Sequence, residues 1–189
     1  MNSRRGEDET IPKFGIKHEG IDYIDRPGAY AVIVNNHKQI VVIETGSGCF
    51  LPGGGMDPGE TEMDALHREL MEETGYQISV IAEIGSAVEY IKASTENKYY
   101  RIRSRFYQVQ LDAKIGEGIE EDHRLIWLSQ VEALRRLTRQ SQAWAIQNWI
   151  AIQNGSTDLD AKQPRPPASS EMYSQEVEPP LTGKRDHRS

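Results

Sequence analysis

The segment from Gly53 to Tyr76 constrains this chain more than any other, because a glycine triplet, a Pro58-Gly59 turn and a helix with both ends marked follow one another there. Thr61 stands where an N-cap is wanted and Asp64 follows at the capping-box position, so the first free N–H groups of a helix can be satisfied locally. Gly75 supplies the left-handed residue that ends one. The spacing predicts a helix from about Glu62 to Thr74, with Met63, Leu66 and Leu70 along one apolar stripe. Elsewhere on that helix Glu69, Glu72 and Glu73 recur at i, i+3 and i+4, which brings their Cβ atoms within about 5–6 Å of one another. Like charges at that spacing repel, so a bound cation or a buried arginine is expected to compensate them.

Around this segment the pattern alternates between strands and helices. AYAVIV (29–34) reads as a buried strand, Asn35 and Asn36 sit where a tight turn is wanted, and QIVVIE (39–44) reads as its hairpin partner. CFLP (49–52) is a short strand that stops in the glycine triplet. Two β-rich stretches, about 77–91 and 98–111, form a second hairpin about a polar turn at Ser94 to Asn97. RLIWL (124–128) is a further strand, followed by a helix near Gln130 to Leu137. A last amphipathic helix runs from about Gln140 to Gln153 and carries Trp144, Ile146, Trp149, Ile150 and Ile152. Residues 1–19 form an N-terminal extension without assigned structure, in which Phe14 and Ile16 are candidates to pack on the domain. The domain spans 20–154. Five of the nine prolines fall between Pro164 and Pro180, where apolar residues are sparse, so 155–189 is expected to be a disordered tail.

Composition narrows the function classes. A chain of 189 residues suits one domain with polar ends. The net charge of −7 argues against a protein that tracks along a nucleic-acid polymer, whose affinity comes largely from neutralised phosphates. No apolar run approaches the ~18 residues of a membrane span, and MNSRRGEDET has no apolar region behind its arginines, so neither insertion nor secretion is expected. The lone Cys49 cannot form an intramolecular disulfide, which favours a cytoplasmic location. Its place in CFLP favours burial over a catalytic thiol.

Three glutamates on one helix face suit a hard divalent cation. Mg²⁺ takes oxygen ligands and is usually held by one or two carboxylates together with substrate phosphates. The stretch Gly54 to Tyr76 resembles the Nudix box, G-x5-E-x7-R-E-U-x-E-E-x-G-U, where U is a bulky aliphatic residue. Gly54, Glu60, Arg68, Glu69, Glu72, Glu73 and Gly75 fill every fixed polar or glycine position, with Leu70 at the first U. At ordinary residue frequencies those seven coincidences have a chance probability of roughly 10⁻⁸. Tyr76 departs from the last U.

The resemblance implies an α/β (α+β) fold, the family's α/β/α sandwich with a mixed β-sheet. It also implies a Mg²⁺-dependent hydrolase, with Mn²⁺ as a possible substitute, acting on the phosphoanhydride bond of a small-molecule nucleotide. Glu72 and Glu73 would be metal ligands, and Glu69 a further ligand or the general base. The Gly53 carbonyl would complete the protein's share. Arg68 belongs to the catalytic box, and with Glu60 it would tie the glycine loop to the helix alongside Gly54 and Gly75. Glu120 or Glu121 is a candidate additional ligand.

Several other residues have two readings. Arg101, Arg103 and Arg105 share one strand face and either clamp phosphates or meet surface carboxylates, the second being preferred. Trp127 and Trp144 read as core more readily than as base-stacking residues. His67 and His123 read as ordinary surface histidines. From a different class, the chain could be a Nudix-fold module that senses a nucleotide without cleaving it, though the complete glutamate set speaks against that. The substrate stays open among oxidised nucleoside triphosphates, dinucleotide polyphosphates and nucleotide sugars. The proline that marks ADP-ribose-specific members and the SQPWPxS motif of NADH-specific ones are both missing, and Tyr90 only loosely matches a tyrosine of diadenosine-polyphosphate hydrolases. A homodimer through an exposed hairpin or the last helix is equally open.

Overall fold

In the computed structural model, residues 10–93, 97–118 and 123–155 are described. In chain order the elements are β1 (Lys13–Phe14), β2 (Ile24–Ile33), β3 (Gln39–Thr45), β4 (Gly48–Phe50), β5 (Gly53–Gly55), α1 (Glu62–Thr74), β6 (Tyr76–Ala93), β7 (Lys98–Lys114), β8 (Arg124–Ser129), α2 (Gln130–Arg136) and α3 (Gln140–Gln153). They form a five-stranded mixed sheet in the order β1-β6-β7-β2-β5 and a three-stranded antiparallel sheet in the order β4-β3-β8.

The alternation of β2 sets the layering. Ala29, Ala31 and Ile33 face α1 and join Leu66, Leu70, Tyr107 and Val109 in one core cluster. Val32, on the opposite face, joins Phe106 in a second cluster with Ile146 and Trp149 of α3. The strands therefore lie between helices on two faces, an α/β/α arrangement. Trp144 packs edge-on against Phe106, and Trp127 packs against the first cluster, so both tryptophans are structural. Ile152 is 48% exposed, so the apolar stripe expected of α3 ends before it.

The local determinants of α1 behave as the sequence implies. The Thr61 side chain accepts from the Asp64 N–H while Asp64 accepts from the Thr61 N–H, and Gly75 closes the helix at φ 74°. A Cβ on Gly75 would overlap the Gly116 carbonyl, so both the dihedral and the close approach require glycine.

The hairpin expected between 29–34 and 39–44 does not form. A single bridge, Val34 to Ile40, joins the two segments, and the chain crosses at Asn35 from one sheet to the other. β2 instead runs parallel to β7 from Ile24↔Tyr100 to Ile33↔Val109. The turn was read correctly, but strand partners are chosen by long-range packing, which a two-residue turn signal does not encode. The second expected hairpin is present as the antiparallel β6–β7 pair, longer at both ends than its apolar pattern suggested. Its turn at 94–96 lies outside the described residues, as does the expected tail from 156.

The N-terminal extension is not free of structure. Lys13–Phe14 adds a parallel edge strand to β6 at Val88–Glu89, and Phe14 is buried, whereas Ile16 is 74% exposed. Two residues are too few to show a periodicity, so no alternation marks this strand. Among the described residues, no helix is long and apolar enough to cross a membrane.

Candidate active site

The glycine strand β5 pairs antiparallel with β2 from Gly28↔Gly55 to Tyr30↔Gly53, and α1 returns across it. A Cβ on Gly54 would overlap the Glu69 carboxyl, so this glycine is what lets the helix face approach the strand.

Arg68 organises the contact. Its guanidinium forks onto Glu60, with Nε to Oε1 at 2.7 Å and Nη2 to Oε2 at 2.9 Å. Nη2 also donates to the Gly55 carbonyl at 3.0 Å, and Nη1 donates to Glu69 at 2.8 Å and to Glu72 at 3.3 Å. The hydrogen bond to Glu60 is the main reason the guanidinium holds its proton even more tightly than a free arginine, with Glu69 adding to it. Glu60 also accepts from the Asp57 N–H, so one bidentate pair fixes the turn against the helix. Arg68, half-buried, thus compensates Glu69 and Glu72 as the spacing of the glutamates called for.

Glu73 is different. Its side chain is only 7% exposed, Oε2 accepts the Gly53 N–H at 2.8 Å, and Oε1 lies 3.7 Å from Nδ1 of His123. Burial pushes its carboxyl up to about 7, and His123 and the Gly53 amide offset this only in part. It borders a cleft lined by Tyr30, Phe50, Gly53, His123 and Arg139 among others. The cleft volume is about 70 Å³. By the measure at which one water needs roughly 10–15 Å³, that holds several, so the carboxyl is not sealed into packed core. Glu72 is the most open of the three, with 39% of its side chain exposed, and Glu69 is buried.

The oxygen donors on this face match a hard divalent cation in type. Among the described residues no three His, Cys, Asp or Glu side chains already converge as a preformed cage. A cation would share Glu69 and Glu72 with Arg68, which the four lone-pair positions of a carboxylate permit. Glu120 and Glu121 lie outside the described residues.

His123 corrects the surface reading, since it sits against Glu73 with only 15% of its side chain exposed. Its burial is tertiary, and its neighbours in sequence carried no signal of it. His67 is exposed as expected. Arg101 and Arg103 both pair with Asp25, and Arg105 with Glu62 and Glu83, so the arginine row follows the preferred reading and meets carboxylates. Tyr90 pairs in register with Arg101, on the side of that row, and packs edge-on against Tyr23. Cys49 is buried, and burial raises its thiol. Sequence reasoning missed Tyr30, Arg26, Arg139 and Gln142 as cleft residues. One usable signal existed: a helix starting at Gln140 behind Arg139, a poor N-cap, needs an outside partner. Glu89 of β6 provides it by accepting from the Gln140 and Ser141 N–H groups.

The NUDIX domain family matches residues 25–149, and the chain belongs to that family. Among solved structures, a NUDIX hydrolase from Nitrosomonas europaea is similar with a TM-score of 0.56 at 18% identity, covering 68% of this chain and 90% of that one. A MutT protein from Methanosarcina mazei Go1 has a TM-score of 0.55 at 17% identity, covering 71% and 99%. These likenesses speak to the fold. A Bacillus subtilis (strain 168) protein described as "Putative 8-oxo-dGTP diphosphatase" is 40% identical over 60 residues, which is 31% of this chain and 40% of that protein. An RNA pyrophosphohydrolase of Helicobacter pylori (strain G27) is 38% identical over 65 residues, 32% of this chain and 42% of that protein. The matched region spans about two fifths of each of these curated relatives.

Proposed function

We propose that this chain is a divalent-cation-dependent hydrolase that cleaves the phosphoanhydride bond of a nucleoside diphosphate linked to another moiety: a nucleoside triphosphate, a dinucleotide polyphosphate or a nucleotide sugar. The carrying observation is the buried Glu73 carboxyl, hydrogen-bonded to the glycine strand and facing an open cleft, one helical turn from Glu69 and next in sequence to Glu72. Glu72, Glu73 and the Gly53 carbonyl would hold Mg²⁺, or Mn²⁺ in its place, with Glu69 as a further ligand or as the general base. When bound, such an ion neutralises phosphate oxygens and lowers the pKa of a coordinated water.

The chain's own groups do the rest. Arg68 fixes the Glu69 carboxylate and the Gly55 carbonyl, so the donors keep their positions as phosphate charge arrives. A carboxylate left outside the coordination can take the water's proton, and Glu69, buried against Gly54, is the candidate. The walls of the cleft hold the nucleoside end. The names of the relatives, a diphosphatase and a pyrophosphohydrolase, support the bond type, and the name of the first supports a small nucleotide as the partner.

The test is a panel of nucleoside triphosphates, dinucleotide polyphosphates and nucleotide sugars incubated with Mg²⁺ or Mn²⁺ and read by product identity. Turnover of at least one class, abolished in Glu73→Gln, is expected. No turnover of any member, or full activity in the variant, would overturn the proposal.

A further inference from the structure

Arg139 is 9% exposed, lines the cleft and lies 5.9 Å above the Phe50 ring. Among the described residues its guanidinium has no carboxylate partner and no hydrogen bond. That is unusual for a buried arginine, which carries five N–H donors in a rigid fork and normally spends them. Arg68, by contrast, is engaged by Glu60 and Glu69. Arg26, which lines the same cleft and stacks 4.4 Å over Tyr100, likewise has no ion pair among the described residues.

The surroundings decide what such donors can take. Gln142 already uses its Oε1 to accept the Leu51 N–H, which leaves its amide donors. Glu89 is buried at the start of α3, and both its oxygens are taken by N–H groups there. Tyr30 in the cleft feels the negative charges of Glu69, Glu73 and Glu89 as well as the positive charge of Arg139. A second phosphate placed here would face those carboxylates. The missing element is therefore a neutral group with hydrogen-bond acceptors, and the Pro27, Ile43, Phe50 and Ile102 walls suit a flat ring.

We infer that Arg139 is a specificity-determining residue that receives the O6 and N7 acceptor pair of a 6-oxopurine, selecting guanine-type over adenine-type nucleotides. A guanidinium fork matches that edge in two parallel hydrogen bonds, whereas adenine offers a donor in place of O6. Buried donors left unpaired by the wrong base make the discrimination steep. This inference rests on the nucleotide-hydrolase reading, but concerns which base is held rather than whether the bond is cut.

Equilibrium binding of nucleoside monophosphates to the full-length protein by calorimetry separates the two, because these probes contain no phosphoanhydride bond. GMP and IMP are expected to bind at least about ten-fold more tightly than AMP, and 7-deaza-GMP to lose most of that advantage. Arg139→Met should bring GMP and AMP together. If that variant does not fold, the four probes on the wild-type protein decide the matter by themselves. Equal binding of GMP and AMP, or a GMP preference that survives Arg139→Met or ignores N7, would overturn the assignment. Hydrolysis without base preference sinks only this inference, and selective GMP binding without hydrolysis sinks only the proposed activity.

Discussion

Glu73, in the last turn of α1, accepts the backbone N–H of Gly53 at 2.8 Å and so joins the end of the helix to the start of the glycine strand. Arg68 joins the same two elements one turn earlier through the Gly55 carbonyl. The acidic face is therefore positioned by the strand it overlies, and changes to either partner should move the site before they unfold the domain.

Arg68→Met removes the fork on Glu60 and the bond to Glu69, leaving two largely buried carboxylates uncompensated. Breaking a fully buried pair costs about 3–5 kcal/mol, and the partial exposure of Arg68 lowers the expectation to about 2 kcal/mol. Urea denaturation checks this. Arg68→Lys should recover part of the stability but not the activity, because an ammonium cannot form the fork.

Gly54→Ala should separate geometry from stability. The added methyl overlaps the Glu69 carboxyl, so Glu69 has to leave its position. Hydrolysis is expected to fall by about 100-fold with a much smaller change in melting temperature, since displacements near 1 Å at a reacting centre are that costly. Unchanged turnover would mean that Glu69 has no part in the chemistry.

The elevated Glu73 carboxyl gives the metal-free protein a characteristic pH dependence. Between the ordinary carboxylate value and about 7, the folded state keeps a proton that the unfolded chain has released. Stability from this group is fully present below the ordinary carboxylate range and is lost as pH rises through about 7. The loss is on the order of 3 kcal/mol at most. Thermal unfolding in EDTA should show this decline in the wild type and a flatter profile in Glu73→Gln. The same slope in both proteins would refute the assignment.

Thr61→Ala removes the N-cap of α1 and its capping box, at a cost of about 1 kcal/mol. It touches none of the proposed ligands, so activity below the melting transition should change little.

What was legible in the sequence follows from how local each determinant is. The limits of α1 were readable because Thr61, Asp64 and Gly75 act through groups within a few residues of themselves. The glutamate face and its arginine were readable for the same reason. The partner of β2 was not: the Asn35 turn was correctly located, yet the ladder that holds β2 lies some seventy positions away in β7, and nothing near Asn35 announces it. His123 and Arg139 were missed because their roles come from burial beside Glu73 and Phe50, a property of the assembled layers. The arginine row shows the reverse case. Its alternation was right, and a preference for surface pairing, drawn from how strand arginines usually behave, matched the contacts with Asp25, Glu62 and Glu83.

The most direct measurement is Mn²⁺ titration followed by electron paramagnetic resonance, because it asks whether the acidic face holds a doubly charged ion without requiring the right substrate. The wild-type protein should bind Mn²⁺ in competition with Mg²⁺, and Glu72→Gln and Glu73→Gln should each weaken binding by at least about ten-fold. Affinity that is undetectable in the wild type, or unchanged by both substitutions, would contradict the account.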